Sequence, residues 1–494
     1  MIARIIFLFG QYYINGEKSQ SGFIIILFLF VVSILFLVFR PNLISLLLGW
    51  DGLGLVSYLL VVYYRRFSRS VAGILTFILN RVGDVFFLLS IILLAVTGNL
   101  DFLNFKRASF LLSIVLLLTF ITKRAQFPFS SWLPAAIAAP TPVSSLVHSS
   151  TLVTAGIFLL IRFREAILKI RHFLIFVSLC TLLMAGIMAS REWDIKKTIA
   201  FSTLSQLGFM IFSLRLGMSL YCFFHLLCHA LFKASLFIVS GVIIHNLDRG
   251  QDFRNLRRFS SITPLLTSSV IVCLLCLCGF PFVSGFFSKD LILDGVSLDI
   301  FVISFFMLGV FLTTNYSLRF CFYSIKAGIL GRLKLFIFYD TVFFVILPVW
   351  VLISTAIFLG YVWLQVSSLL TSFSFFRRLW KGCYLLLFVI LNLIVYVLWF
   401  MVFKGGLFNR YFFCSIWFLY SLVSTRLRSG VFVMGRLADM SQSWLEILGA
   451  QGLHRQIFKR SLFLRRSLRF KNVYYISPLF IAILIFLWNS SLRF

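Results

Sequence analysis

Apolar residues recur along this chain in runs of about 20, the length that crosses a hydrocarbon core of about 30 Å as a helix. Thirteen runs lie near residues 22–39, 43–64, 72–96, 108–138, 143–163, 172–190, 195–216, 219–246, 262–290, 299–324, 334–363, 383–403 and 474–490, and a weaker one covers 406–425. Their continuity excludes a β-barrel, whose strands alternate over about ten residues. Lipid offers backbone groups no partner, so each run folds as a helix that satisfies its own N–H and C=O groups. The pattern predicts an all-α polytopic membrane protein with 13 to 14 transmembrane helices.

Two runs carry interruptions. In TKRAQFPFSSWLPAAIAAPTPVSSLVHSSTLVTAG, four of the nine prolines (Pro128, Pro134, Pro140 and Pro142) fall within fifteen residues, and each removes a donor and disturbs the helix. In LLCLCGFPFVSGFFSKDLIL, Gly279, Pro281 and Gly285 do the same. Irregular backbone at membrane depth survives where it is buried in protein or lines a wet cavity. Paired interruptions also point to an internal repeat with ion sites at the breaks.

Composition agrees with the pattern. The chain has 494 residues, 61% hydrophobic and only 12% charged, too apolar for a soluble globular protein. The net charge of +30 sits in connections such as YYRRFSR, IRFREAILKIR and DRGQDFRNLRR, which suits anionic lipid headgroups better than nucleic acid. Between 454 and 471, seven Lys and Arg alternate with Leu and Phe and no acid is present, the composition of an amphipathic helix lying along a membrane surface. The predicted organisation is therefore a transmembrane body over 1–403, a lateral helix region over 404–473 and a final anchor over 474–494. CLLCLC (Cys273, Cys276, Cys278) has neither a histidine nor a second cysteine pair beside it, and reads as small core residues with no metal. The first residues show neither a signal nor a transit peptide.

Charges inside the runs carry the candidate chemistry, since each costs about 2.5 to 3.5 kcal/mol on insertion scales. Asp51 sits among Gly49, Gly52 and Gly54 in LLLGWDGLGLVSYLL, small residues that admit a neighbouring helix. Arg81 and Asp84 are three apart, the spacing of a local ion pair, and Asp84 can influence a nearby lysine. Lys123 opens the first interrupted segment and His148 follows it; Lys289 and Asp290 close the second. Between them, HLLCHALFKA places His225, His229 and Lys233 four residues apart, one stripe climbing about 12 Å. Three groups of like sign without an acid nearby do not make a stabilising pair. Chains of titratable groups inside membranes mark proton relays.

PTPVSSLVHSSTLVTAGIFLLIRF, DIKKTIAFSTLSQLGFM, HLLCHALFKASLFIVSGVIIHNL and GFPFVSGFFSKD resemble, in order and over residues 22 to 320, the antiporter-like membrane subunits of mitochondrial NADH:ubiquinone oxidoreductase, respiratory complex I. The resemblance implies two inverted helical repeats and a proton-translocating core subunit of the membrane arm in the mitochondrial inner membrane. It makes Asp51 the channel carboxylate, Asp84 the acid that tunes Lys123, and Lys123 the lysine of the first broken helix. His148, His225 and His229 become relay groups, Lys233 the central lysine, and Lys289 with Asp290 the outer pair. Flavin, iron-sulfur clusters and ubiquinone are expected in other subunits, with no cofactor in this chain. Expected partners are the adjacent antiporter-like subunits and anionic lipid such as cardiolipin.

The sequence departs from the family in two places. Asp51 stands where a glutamate is common, and residues 1–20 resemble the end of a family helix, so the usual opening helices are expected to be absent. Cation/proton antiporter subunits share the fold and the intramembrane lysines, and are the alternative reading.

Overall fold

The computed structural model describes residues 1–16, 20–40, 42–64, 66–96, 109–246, 251–256, 263–281, 283–294, 300–325 and 338–370, with Phe458, Arg460 and Ser461. The chain divides into two compact units, Met1–Tyr420 and Ser421–Phe494. The runs predicted at 383–403, 406–425 and 474–490 lie outside the described residues. So does the lateral helix, apart from the three isolated positions, which are helical.

The first unit is built from α1 (Ile2–Tyr13), α2 (Gln20–Phe39), α3 (Leu43–Val62), α4 (Phe67–Val96), α5 (Phe110–Lys123), the short α6 (Trp132–Ala136) and α7 (Thr141–Arg162). It continues through α8 (Arg171–Arg191), α9 (Ile195–Arg215), α10 (Ser219–Asn246), α11 (Pro264–Cys278), α12 (Ser284–Asp294), α13 (Ile300–Ile325) and α14 (Phe338–Leu370). Seven of the helices are long and apolar enough to cross a membrane among the described residues, and α5, α11 and the Ile346–Val362 part of α14 are shorter apolar pieces. Serines and threonines sit in these helices by returning their hydroxyl to a carbonyl one turn back, as Ser33 does to Phe30 and Ser90 to Phe87, which leaves no polar atom facing lipid.

Burial separates an outer layer from a centre. Over its most apolar stretch α2 is 28% buried, whereas α10 is 89% buried, because α10 packs against α7, α9, α11, α12 and α14. Nearly every residue of α9 is buried as well, so its serines, threonines and Gln206 point into protein on all sides. Phe209 and Phe212 of α9 stack on Phe306 of α13, with centroids 5.3 and 4.0 Å apart, and join Leu182, Ile292 and Val310 in one apolar cluster.

Both predicted breaks are present, and their positions have a steric cause. The run expected over 108–138 ends its helix at Lys123, before any proline. A helix running through Pro128 would lose a hydrogen bond to the Arg124 carbonyl and drive the proline ring into it, so the helix has to end before Pro128. Ala125 takes the turn at φ 55°, a left-handed conformation that costs a non-glycine residue about 1 to 2 kcal/mol. After the short α6 the chain re-enters helix at Thr141–Val143, with Pro140 as N-cap, and runs through a π-helical stretch, Ser144–Thr151, before regular α geometry returns. In the second break Gly279 closes α11 in the left-handed region at φ 84°, where glycine carries no Cβ penalty. Pro281 then leaves the Leu277 carbonyl without its helical donor. Gly285 lets α12 start against α11, since a Cβ there would lie 1.7 Å from the Cys276 carbonyl oxygen.

Candidate functional site: two buried lysine centres

The first centre lies where α3, α4 and α5 meet. Lys123, 1% exposed, occupies the last turn of α5, where carbonyls lack helical donors and a cation is favoured. Its Nζ donates to the Trp50 carbonyl oxygen at 2.9 Å and stands 4.6 Å from the Trp50 ring centroid. Trp50 is held by stacking on Phe87, and its Nε1 donates to Asp84 Oδ1 at 2.7 Å. The other oxygen of Asp84 pairs with Arg81 at 3.2 Å, and Arg81 reaches Asp51 at 3.6 Å. A single line of contacts thus runs Lys123, Trp50, Asp84, Arg81, Asp51.

Two expectations are refined by this line. Asp84 and Asp51 lie within electrostatic reach of Lys123, but among the described residues Trp50 stands between acid and lysine with no direct ion pair. Asp51 lies on the outer side, its side chain 34% exposed beside the 38% exposed Arg81. The glycines flanking Asp51 serve close approach as expected. A Cβ on Gly49 would lie 2.5 Å from the Leu37 nitrogen of α2, and one on Gly54 would lie 3.3 Å from Lys123 Nζ.

The second centre lies between α9, α10, the α11–α12 break and α13. His225, His229 and Lys233 all face the interior of the bundle and are 0% exposed, so the predicted stripe is real, but its three members have different surroundings. His225 Nδ1 lies 2.8 Å from Ser288 Oγ and Nε2 lies 3.3 Å from Gln206 Oε1. With that amide orientation Nε2 donates and Nδ1 accepts from the serine. Gln206 in turn meets the Tyr316 hydroxyl, which also bonds Ser205. One turn on, both ring nitrogens of His229 are buried with no hydrogen-bond partner among the described residues, and its ring centroid is 6.4 Å from that of His225. Lys233 Nζ donates to Ser202 Oγ.

Lys289 enters from α12 and donates to the Leu277 carbonyl, the acceptor that Pro281 set free. Its ammonium lies within electrostatic reach of His225, His229 and Lys233. No carboxylate pairs with any of the four among the described residues. The side chains of His148 and Asp290 lie outside the described residues; their backbones belong to the π-helical part of α7 and to α12. Cys273, Cys276 and Cys278 are buried core residues of α11, with Cys273 against Ser235 and Cys278 against Ser317.

Sequence reasoning missed the neutral partners Trp50, Ser202, Gln206, Ser288 and Tyr316, and three buried cations. Arg124 is fully buried beside Lys123, Lys196 donates to the Ala139 carbonyl at 3.5 Å, and Arg319 donates to the Ser190 carbonyl with its guanidinium 4.5 Å from the Trp193 ring centroid. Polar spacing in STLSQLG (Ser202, Ser205, Gln206), at i, i+3 and i+4, was the signal available for the α9 partners. Outside the spanning segments, Glu192 is nearly covered in the α8–α9 connection, and burial raises its carboxyl above the ordinary carboxylate value.

The family model of the transmembrane region of NADH:quinone oxidoreductase/Mrp antiporter proteins matches residues 41–314. NADH-ubiquinone oxidoreductase chain 5 of Locusta migratoria is 41% identical over 478 residues, covering 92% of this chain and 82% of the relative. Its counterpart in Lumbricus terrestris is 38% identical over 489 residues, covering 95% and 84%. That of Anopheles gambiae is 47% identical over 335 residues, covering 66% and 58%. Among solved structures, the Mrp complex from Dietzia sp. DQ12-45-1b superposes with a TM-score of 0.65 at 22% identity, over 98% of this chain and 53% of that one. An archaeal membrane-bound sulfane sulfur reductase gives 0.64 at 20% identity, over 73% and 77%; at such identities the likeness establishes the fold alone. With the family model spanning both lysine centres and these chain 5 relatives extending nearly end to end, the protein belongs to the NADH:quinone oxidoreductase/Mrp antiporter transmembrane family, among the chain 5 membrane subunits of NADH-ubiquinone oxidoreductase.

Proposed function

We propose that this chain translocates protons across the mitochondrial inner membrane as a core membrane-arm subunit of respiratory complex I, driven by NADH-to-ubiquinone electron transfer in other subunits. Asp51, Asp84, Lys123, His148, His225, His229, Lys233, Lys289 and Asp290 are the groups through which the protons pass or by which their passage is set. The observation that carries this reading is His229. A fully buried imidazole with neither nitrogen partnered among the described residues is costly unless water completes its hydrogen bonds. Its neighbours along the same helix are another buried imidazole and a buried lysine, so water there would join them into one proton path. Gln126, Ser130, Ser131 and Thr141 around the first break, and Ser284 at the second, also hold buried polar atoms without hydrogen-bond partners among the described residues, which supports hydrated breaks.

Flavin, iron-sulfur clusters and ubiquinone belong, on this reading, to other subunits. Asp51 and Arg81 supply the argument for a protein neighbour. Both lie near the middle of their helices and are about one-third exposed, and a charged pair at that depth facing lipid is expensive. An adjacent antiporter-like subunit covering the α3–α4 face removes the cost. Anionic lipid such as cardiolipin is the proposed partner of the basic connections.

The decisive measurement is the number of protons moved per NADH oxidised by assembled complex carrying Lys233→Ala. The ratio is expected to fall. An unchanged ratio in a fully assembled complex sinks the relay.

A further inference from the structure

The proton path proposed above uses Lys123 and leaves its chain neighbour without a role. Arg124 directly follows Lys123, yet the two side chains leave the end of α5 in different directions. Lys123 reaches Trp50 on α3, whereas Arg124 donates through Nη2 to the Gly156 carbonyl on α7 at 3.0 Å. Its guanidinium also lies within electrostatic reach of Cys222, on α10 one turn before His225. Arg124 therefore adjoins Lys123 along the chain and reaches towards α10 one turn before His225.

The residue is 0% exposed, and its Nε and Nη1 have no hydrogen-bond partner among the described residues. None of the ion pairs among those residues includes it. A lysine in such a place can surrender its proton, but a guanidinium cannot. The buried region next to Lys123 and Cys222 thus holds a positive charge that persists whatever its neighbours do. Gly156 is part of the arrangement, because a Cβ there would lie 2.7 Å from Arg124 Cγ and 2.9 Å from Nε.

Resting on the proton-translocation reading, we propose that Arg124 is a fixed-charge barrier that stops excess protons from passing unassisted between Lys123 and the α10 ladder. An excess proton on water or imidazole a few ångströms from the guanidinium meets like-charge repulsion. At an effective dielectric of about 20 this slows its passage roughly ten- to hundredfold. An arginine lining a water-filled pore excludes protons on the same principle. Turnover supplies the drive that overcomes the barrier; passive diffusion has none.

The test uses complex I holoenzyme in sealed vesicles with quinone reduction inhibited, and reads proton entry under an imposed potential. Arg124→Gln is expected to raise the leak roughly tenfold or more and to lower the protons moved per NADH, while uncoupled NADH oxidation is unchanged. Arg124→Lys keeps a cation there, but one that can surrender its proton, and is expected to leak less than Arg124→Gln and more than wild type. A wild-type leak in Arg124→Gln, or an equal leak in both variants, overturns the barrier. Should Arg124→Gln not assemble, Gly156→Ala keeps the charge but displaces it, and a leak below tenfold but above wild type is expected; a wild-type leak there overturns the proposal. Lys233→Ala measured alongside separates the two ideas. An unchanged proton ratio in that variant ends the translocation reading itself. A reduced ratio there, with tight Arg124→Gln vesicles, ends the barrier alone.

Discussion

Lys123 and Lys233 are both buried lysines beside a broken helix, but they are held by opposite means. Lys123 is tied through Trp50 to Asp84, and onward through Arg81 to Asp51, so a charge on it is partly offset by two acids within electrostatic reach. Among the described residues Lys233 donates to a serine hydroxyl, its neighbours His229 and Lys289 share its sign, and the chargeable group of opposite sign within electrostatic reach is the buried thiol of Cys273 rather than a carboxylate. The first centre can hold a proton at modest cost. In the second, each proton raises the energy of the next, because like charges in a poorly screened interior repel. A proton arriving there must soon move on, which is the behaviour a translocating site needs and a structural ion pair lacks.

Giving the second centre what the first has is the strongest way to break this contrast. Ser202→Asp places a carboxylate against Lys233 Nζ and turns the site into an ion pair that retains its proton. In assembled complex, coupled NADH oxidation is expected to fall roughly tenfold or more. Ser202→Ala, which removes one hydrogen bond worth about 1 to 3 kcal/mol to a charged donor, is expected to slow it far less. Equal rates in the two variants would mean that the missing acid is immaterial.

The converse change removes the acid from the first centre. Asp84→Leu leaves Trp50 Nε1 without its acceptor and Arg81 with only the longer contact to Asp51, a loss of about 3 kcal/mol by analogy with broken buried pairs. It should appear as reduced complex on native gels. Asp84→Asn still accepts from Trp50 and lacks only the charge. It is expected to assemble and to move fewer protons per NADH. If both variants assemble alike and pump alike, Asp84 is not the counter-charge of Lys123.

Much of this contrast was legible before any coordinates. The Pro and Gly positions announced both breaks, and the spacing of 225, 229 and 233 announced one buried stripe, because these depend on local sterics and helical period. Partners across helices were not legible. The rotation of α3, which puts Asp51 on the outer side and within reach of Arg81 of α4, is set by contacts such as Gly49 against Leu37 of α2 that no single run contains. Likewise nothing in TKRAQ distinguishes a lysine directed to α3 from an arginine directed to α7. That divergence follows from the way α5 ends at Lys123 and the chain turns at Ala125, and Lys123 and Arg124 differ in role because of it.

Two glycines test how rigidly each centre is framed, with the smaller effect at the first. A Cβ on Gly285 would lie 1.7 Å from the Cys276 carbonyl oxygen, and backbone cannot yield as a side chain does. Gly285→Ala is therefore expected to cost about 1 to 3 kcal/mol or more and to lower the amount of assembled complex, as the α11–α12 break is forced open around Lys289. At Gly54 the new methyl would lie 3.3 Å from Lys123 Nζ, the far end of a flexible side chain. Gly54→Ala is expected to assemble normally, because Nζ needs to shift only a few tenths of an ångström from the Trp50 carbonyl. The visible consequence is a few-fold slower proton transfer with stability unchanged. A Gly54→Ala complex as poorly assembled as Gly285→Ala would show that the lysine at the first centre is clamped as tightly as the backbone at the second, and the contrast between an adjustable pair and a rigid break would not stand.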